Sequence, residues 1–104
     1  MPSTTIAGRT VDINEEGFLT NPTQWDEALG AELAKLIGVD MSDRHWEAIR
    51  FLRTDFAAKG ETPTLRRVAT AGNFPTKELF ELFPKKPAKK MAYVAGLPKP
   101  KGCV

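Results

Sequence analysis

The side chain best suited to chemistry is Cys103, the only cysteine of the chain, set in Gly96-Leu97-Pro98-Lys99-Pro100-Lys101-Gly102-Cys103-Val104. Pro98 and Pro100 fix φ and resist collapse of this stretch. Gly102 removes a side chain just before the thiol, where the tail would enter a narrow partner site. In extended or polyproline form the seven steps of chain from Gly96 to Cys103 span roughly 22–25 Å. The stretch therefore has the build of an arm that presents a thiol. Lys99 and Lys101 favour the thiolate, which is the nucleophile, whereas a carboxylate at Val104 opposes them. The plainer alternative stays open: a lone cysteine near a terminus is often chemically idle.

The other reactive types offer less. His45 is the single histidine and has no catalytic partner nearby in sequence, so a place at the surface or the core edge is expected for it. One histidine and one distant cysteine make no metal site, and no glycine-rich phosphate loop or Ser/His/Asp arrangement is present. Lys85, Lys86, Lys89 and Lys90 cluster directly before the arm. Such a cluster is usually a solvated helix face; here it could also dock an acidic partner surface or a tRNA. Residues 62–83 have the cadence of a helix-turn-helix, with Arg66, Arg67 and Lys77 as candidate phosphate contacts. A DNA-binding regulator is thus a further alternative, although Glu78 and Glu81 on the second helix would repel DNA.

These residues need elements to position them. Thr4 to Ile13 reads as a hairpin turning at Gly8, with Val11 and Ile13 on one face and Ile6 opposite them. Asn14-Glu15-Glu16-Gly17 makes a second turn, and Phe18-Leu19 returns to the core. Asn21-Pro22 opens a first helix whose inward stripe is Trp25, Ala28, Leu29, Leu33, Leu36 and Ile37. Ser42 caps a second helix with Trp46, Ile49, Leu52 or Arg53, and Phe56 inward. Both tryptophans read as core residues. Thr62-Pro63 starts a short third helix with Leu65, Val68 and Ala69 inward. Phe74-Pro75-Thr76 leads into a fourth carrying Leu79, Phe80, Leu82 and Phe83. The segment from Lys85 begins a fifth with Met91, Val94 and Ala95, and Gly96 releases the tail. The expected fold is mainly α: about five helices, including the helix-turn-helix-like pair, with an N-terminal β-hairpin. One domain covers 1–104, divided into a hairpin region (4–19), a helical core (21–95) and the arm (96–104).

Composition agrees with a small soluble domain. At 104 residues there is enough chain for one core. A net charge of +2 is too small to demand nucleic acid or an acidic membrane as partner. No apolar run approaches the length of a membrane span, and the N-terminal residues lack the basic and apolar regions of a signal peptide. A single thiol forms no intramolecular disulfide. A cytoplasmic location is expected.

The tail Ala95-Gly96-Leu97-Pro98-Lys99-Pro100-Lys101-Gly102-Cys103-Val104 closely resembles the C-terminal motif of the DsrC/TusE family of small sulfur carriers. The likeness extends to Val11–Leu19, Trp25, His45–Ile49, Phe51–Arg53, Pro63 with Arg66, Leu82–Pro84 and Pro87–Lys89. The segment Ala71–Lys77 is abbreviated relative to many members. The resemblance implies an orthogonal helical bundle with a mobile C-terminal arm and no cofactor. It implies sulfurtransferase chemistry in which Cys103 accepts a sulfane sulfur as a persulfide, with Lys99, Lys101, Gly102 and Arg66 in support and Arg66 near the docked arm. Members that serve dissimilatory sulfite reductase carry a second cysteine at the position of Ala92. Its lack resembles the TusE branch, which takes sulfur from a TusBCD-like donor toward a tRNA-thiolase-like acceptor for 2-thiouridine. Partnership with sulfite reductase, or a regulatory role in sulfur metabolism, is the alternative within the family. Direct contact with nucleic acid or membrane is not expected.

Overall fold

The computed structural model describes residues 3–100. Strands β1 (Ser3–Ile6) and β2 (Arg9–Asp12) form an antiparallel hairpin. Its two-residue turn holds Ala7 and Gly8 at φ 53° and 76°, the doubly left-handed geometry that matches strand twist. The register pairs Val11 with Thr4 and Ile6 with Arg9, so Ile6 does not stand opposite Val11 as expected. It reaches the same apolar cluster from the side. The second turn forms as expected, with the Asn14 side chain accepting from the backbone N–H groups of Glu16 and Phe18.

Five helices follow: α1 (Glu27–Leu36), α2 (Asp43–Lys59), α3 (Leu65–Ala71), α4 (Thr76–Leu82) and α5 (Pro87–Val94). The first does not open at Asn21-Pro22. Those residues make a single 3-10 turn, Trp25 is extended, and Asp26 caps α1 by accepting from the Leu29 N–H. Trp25 thus lies before the helix, not on its stripe. Leu29 and Leu33 are buried as expected, whereas Ala28 is exposed and Leu36, at the end of α1, is 65% exposed. Helix α3 likewise starts later than Thr62-Pro63, capped by Thr64. Helix α5 starts at Pro87 because Lys85 sits in the left-handed region, at φ 74°, and interrupts the chain first. On α4 Phe80 is exposed while Leu79 is fully buried.

The core has two apolar clusters. The larger joins Ile49, Leu52, Val68, Leu79, Phe83, Met91 and Leu97; the smaller joins Val11 and Leu19 to Leu29 and Leu33. Trp25 and Tyr93 touch both. Trp46 packs on the larger cluster from its rim, half-buried. His45 takes the core-edge place expected of it. Its Nδ1 accepts from the Ser42 N–H, completing a capping box for α2, and its Nε2 lies 2.7 Å from the Leu82 carbonyl oxygen. This network assigns the neutral tautomer with the proton on Nε2.

Gly96 does not release the tail. It takes φ 69° and closes α5 with a paired motif, its own N–H donating to the Tyr93 carbonyl and the Leu97 N–H to that of Ala92. Leu97 then enters the core at 1% exposure. A Cβ at position 96 would overlap the Trp25 ring, whereas at Gly38, also left-handed at φ 72°, it meets open space. We therefore expect Gly96→Ala to lose about 2 kcal/mol or more beyond Gly38→Ala, read from urea unfolding midpoints. Equal losses would refute the close packing of Trp25 on Gly96.

Candidate functional site

The base of the arm is fixed by side chains from four places in the chain. The Trp25 indole Nε1–H donates to the Val94 carbonyl at 2.8 Å, a bond spanning 69 positions of sequence. Arg53, on the inward side of α2, donates to the Ala95 carbonyl at 2.7 Å and to the Pro22 carbonyl at 2.9 Å. Its guanidinium carbon lies 4.3 Å from the centre of a Trp25 ring, within cation–π range. Thr62 Oγ1 donates to the Pro98 carbonyl at 2.7 Å. Lys99 pairs with Glu16 at 3.4 Å.

The arm is therefore docked further along than the sequence suggested. Residues 96–98 are held by core packing and hydrogen bonds, and Pro100 is buried. Cys103, Lys101 and Gly102 lie outside the described residues. Cys103 lies three positions beyond Pro100, so with Pro100 seated its Cα is tethered within about 11 Å of it. That is half the reach calculated for an arm leaving at Gly96. Lys99, expected to support the thiolate, directs its ammonium to Glu16.

Arg53 and Thr62 are the positions that sequence reasoning missed. A signal for Arg53 was available: an arginine on the inward stripe of α2 between Ile49 and Phe56 brings a cation toward the core, where it needs partners. Its partners among the described residues are the carbonyl ends of Pro22 and Ala95, and burial pulls its pKa down. Thr62 reads in sequence as the start of a helix, and its local pattern holds nothing to indicate an acceptor 36 positions away.

Arg66 is exposed on α3 and makes no hydrogen bond or ion pair through its guanidinium with a described residue. Its neighbour Arg67 instead grips the buried carboxylate of Asp55 at 2.8–3.1 Å. This removes Arg67 from the candidate phosphate contacts. A cleft of about 310 Å³ lined by Asp55, Lys59, Glu61, Thr62 and Arg67 opens beside the arm base. On the second helix of the same pair, Glu78 is held by Arg44 through two 2.9 Å hydrogen bonds.

The four candidate docking lysines are brought together. Lys85, Lys86, Lys89 and Lys90 line one groove of about 500 Å³ with Glu16, Phe18, Ile37 and Tyr93. Glu16 stands 3.7 Å from Lys89 as well as bonding Lys99, so one carboxylate touches both groove and arm. Among the described residues, no helix is long and apolar enough to cross a membrane.

Fold and site define a small helical domain in which residues 96–99, a few positions before Cys103, are latched to the core. The chain belongs to the DsrC-like family, whose model matches residues 5–104. It is 38% identical to the sulfurtransferase TusE of Yersinia pseudotuberculosis, over 93% of this chain and 96% of that protein. The oxidised γ-subunit of dissimilatory sulfite reductase (DsrC) from Archaeoglobus fulgidus superposes with a TM-score of 0.82 at 32% identity, over 99% of this chain and all of that one. The solution structure of DsrC from Allochromatium vinosum gives 0.81 at 31% identity, covering 98% and 97%.

Two outcomes follow from this geometry. Replacing Arg53 by Met strands the Ala95 and Pro22 carbonyls and should cost about 2–3 kcal/mol, with faster amide hydrogen exchange at Leu97; unchanged exchange there would remove Arg53 from the latch. The hydrogen bonds from Arg67 and Arg44 hold the Asp55 and Glu78 carboxyls below the usual carboxylate range. Because the folded state lowers these pKa values, their contribution is complete at neutral pH and is lost as pH falls through the folded values, below the ordinary carboxylate range. The urea midpoint should therefore fall on acidification, and fall less steeply in Asp55→Asn/Glu78→Gln.

Proposed function

We propose that this protein is a sulfur-relay carrier in which Cys103 bears a sulfane sulfur as a persulfide. The observation that carries the reading is that the family match runs to residue 104 and so includes the tail with the chain's one cysteine. The sulfurtransferase name of its relatives gives the reaction type. The latch at Trp25, Arg53 and Thr62 supports it physically, since it holds the segment leading to the thiol at a defined place.

In the loading step the Cys103 thiolate attacks the outer sulfur of a donor persulfide. The donor's S–S bond breaks as the Cys103–S bond to that sulfur forms. The donor leaves as a thiolate, Cys103 becomes a persulfide, and the pair is redox-neutral overall. Unloading repeats the exchange: an acceptor thiolate attacks the outer sulfur, the S–S bond to Cys103 breaks, and Cys103 leaves as the thiolate. Docking of residues 96–100 shortens the sweep of the thiol, so donor and acceptor must approach the arm base. Lys101 and Gly102 remain proposed aids to thiolate formation and access, Lys99 acts from its pairing with Glu16, and Arg66 is a proposed contact to the loaded tail.

The finer reading is that of the TusE branch: sulfur taken from a TusBCD-like donor and passed toward 2-thiouridine in tRNA through a thiolase-like acceptor, in the cytoplasm. Ala92 favours it over the two-cysteine cycle. That residue is fully buried on α5, and with a single cysteine the chain closes no internal disulfide. The likeness to sulfite reductase γ-subunits supports a second reading, in which this chain binds a sulfite reductase without an internal thiol pair.

Incubation with a cysteine desulfurase, cysteine and a small persulfide carrier should add the mass of one sulfur to the intact protein. Reductant should reverse the gain, and Cys103→Ser should lack it while keeping its fold. Undiminished loading of the serine variant, or none of the wild type, would sink the proposal.

A further inference from the structure

The groove beside the arm base combines features that the fold does not need. Its floor is apolar, made by Phe18, Ile37 and the half-buried Tyr93. Its rim carries Lys85, Lys86, Lys89 and Lys90. These lysines sit just before and within the first turns of α5, at the positive end of the helix dipole, where cations are disfavoured. No acidic residue occupies the first turn of α5. Lys85 is held at φ 74°, a conformation costly for a residue with a Cβ and persistent mainly at sites of function. Among the described residues the only carboxylate paired with the cluster is Glu16, at 3.7 Å from Lys89.

We infer that this groove is the docking site for an acidic segment of a partner protein that carries a pair of large apolar side chains: the apolar pair seats on Phe18, Ile37 and Tyr93 while flanking carboxylates meet the lysine rim. Charge complementarity selects the sign of the partner, and the apolar floor selects a polypeptide over a nucleic acid backbone. The inference rests on the sulfur-carrier reading for its purpose. A segment docked here lies against Glu16, which also binds Lys99 of the arm, so the partner is held beside the tether of Cys103.

The test is a titration of the full-length, isotope-labelled protein with the amidated hexapeptide Asp-Glu-Phe-Leu-Glu-Asp, followed by amide chemical shifts. Saturable shifts at Phe18, Ile37 and residues 85–93 are expected. Binding should weaken about tenfold in Lys86→Glu/Lys90→Glu, a change that removes like charges from the start of α5 and so spares the fold. It should weaken similarly when glycine replaces both apolar residues of the peptide. No shift at millimolar peptide, shifts scattered over Arg66 and Lys77, or equal binding of the glycine peptide would overturn the inference. A short RNA that displaced the peptide and bound the same residues more tightly would assign the groove to nucleic acid and overturn it too. Loading of the wild-type protein by glutathione persulfide, with no peptide present, separates the two claims. Absent loading with intact peptide binding would fell the carrier reading alone, and loading without peptide binding would fell the groove alone.

Discussion

The structure depends on where the Trp25 indole is held. Its ring lies against Gly30 of α1, close enough that a Cβ there would come within 2.8 Å, and against Gly96 at the root of the arm. The Arg53 guanidinium covers it, and its N–H is committed to the Val94 carbonyl. Four parts of the chain therefore meet at one side chain: the first helix, the long central helix, the end of the last helix and the arm. A buried indole N–H without an acceptor is costly, and so is an inward cation without acceptors. Both requirements are met by carbonyls near the C-terminal end of α5, the negative end of its dipole. The arm root is thus the place where the polar demands of the core are satisfied, and it cannot move freely without exposing them.

That constraint changes how a terminal thiol would work. An arm leaving at Gly96 would sample a wide sphere, and each encounter would lose that freedom on binding. With residues up to Pro100 seated, only the last few remain to be placed. The tether of Cys103 starts from Pro98 and Lys99, which are held by Thr62 and Glu16. Transfer by thiol exchange needs access more than a built catalytic pocket, and a short tether beside a docking surface supplies access with less entropy to lose.

Much of this was legible in the sequence. The helices, the hairpin with its Gly8 turn and the break at Gly96 follow from period and punctuation. What stayed hidden was long-range polar pairing. Asn21-Pro22 signals a helix start correctly by local rules, yet tertiary demand pulls Trp25 into an extended conformation and lets Asp26 restart the helix. Thr62 reads as the start of a helix and serves instead as a donor to Pro98. Arg53 sat on the apolar stripe as an anomaly that periodicity alone could not resolve. In each case the deciding partner lies more than thirty positions away or belongs to the arm, and local pattern carries no record of it.

A single cysteine shifts the burden of specificity from redox chemistry to surface. Where two thiols lie in one chain, an internal disulfide can gate the reaction. Here every S–S bond that Cys103 forms joins it to another molecule, and any accessible persulfide or disulfide is a competent partner by chemistry alone. Discrimination must then come from contacts made outside the tail. The region best equipped for that is the face where Glu16 touches both Lys89 and Lys99, because a partner recognised there meets the tether in the same encounter. The docking proposal gives the lysines at the start of α5 a purpose that the helix alone does not, since its dipole favours acidic residues there.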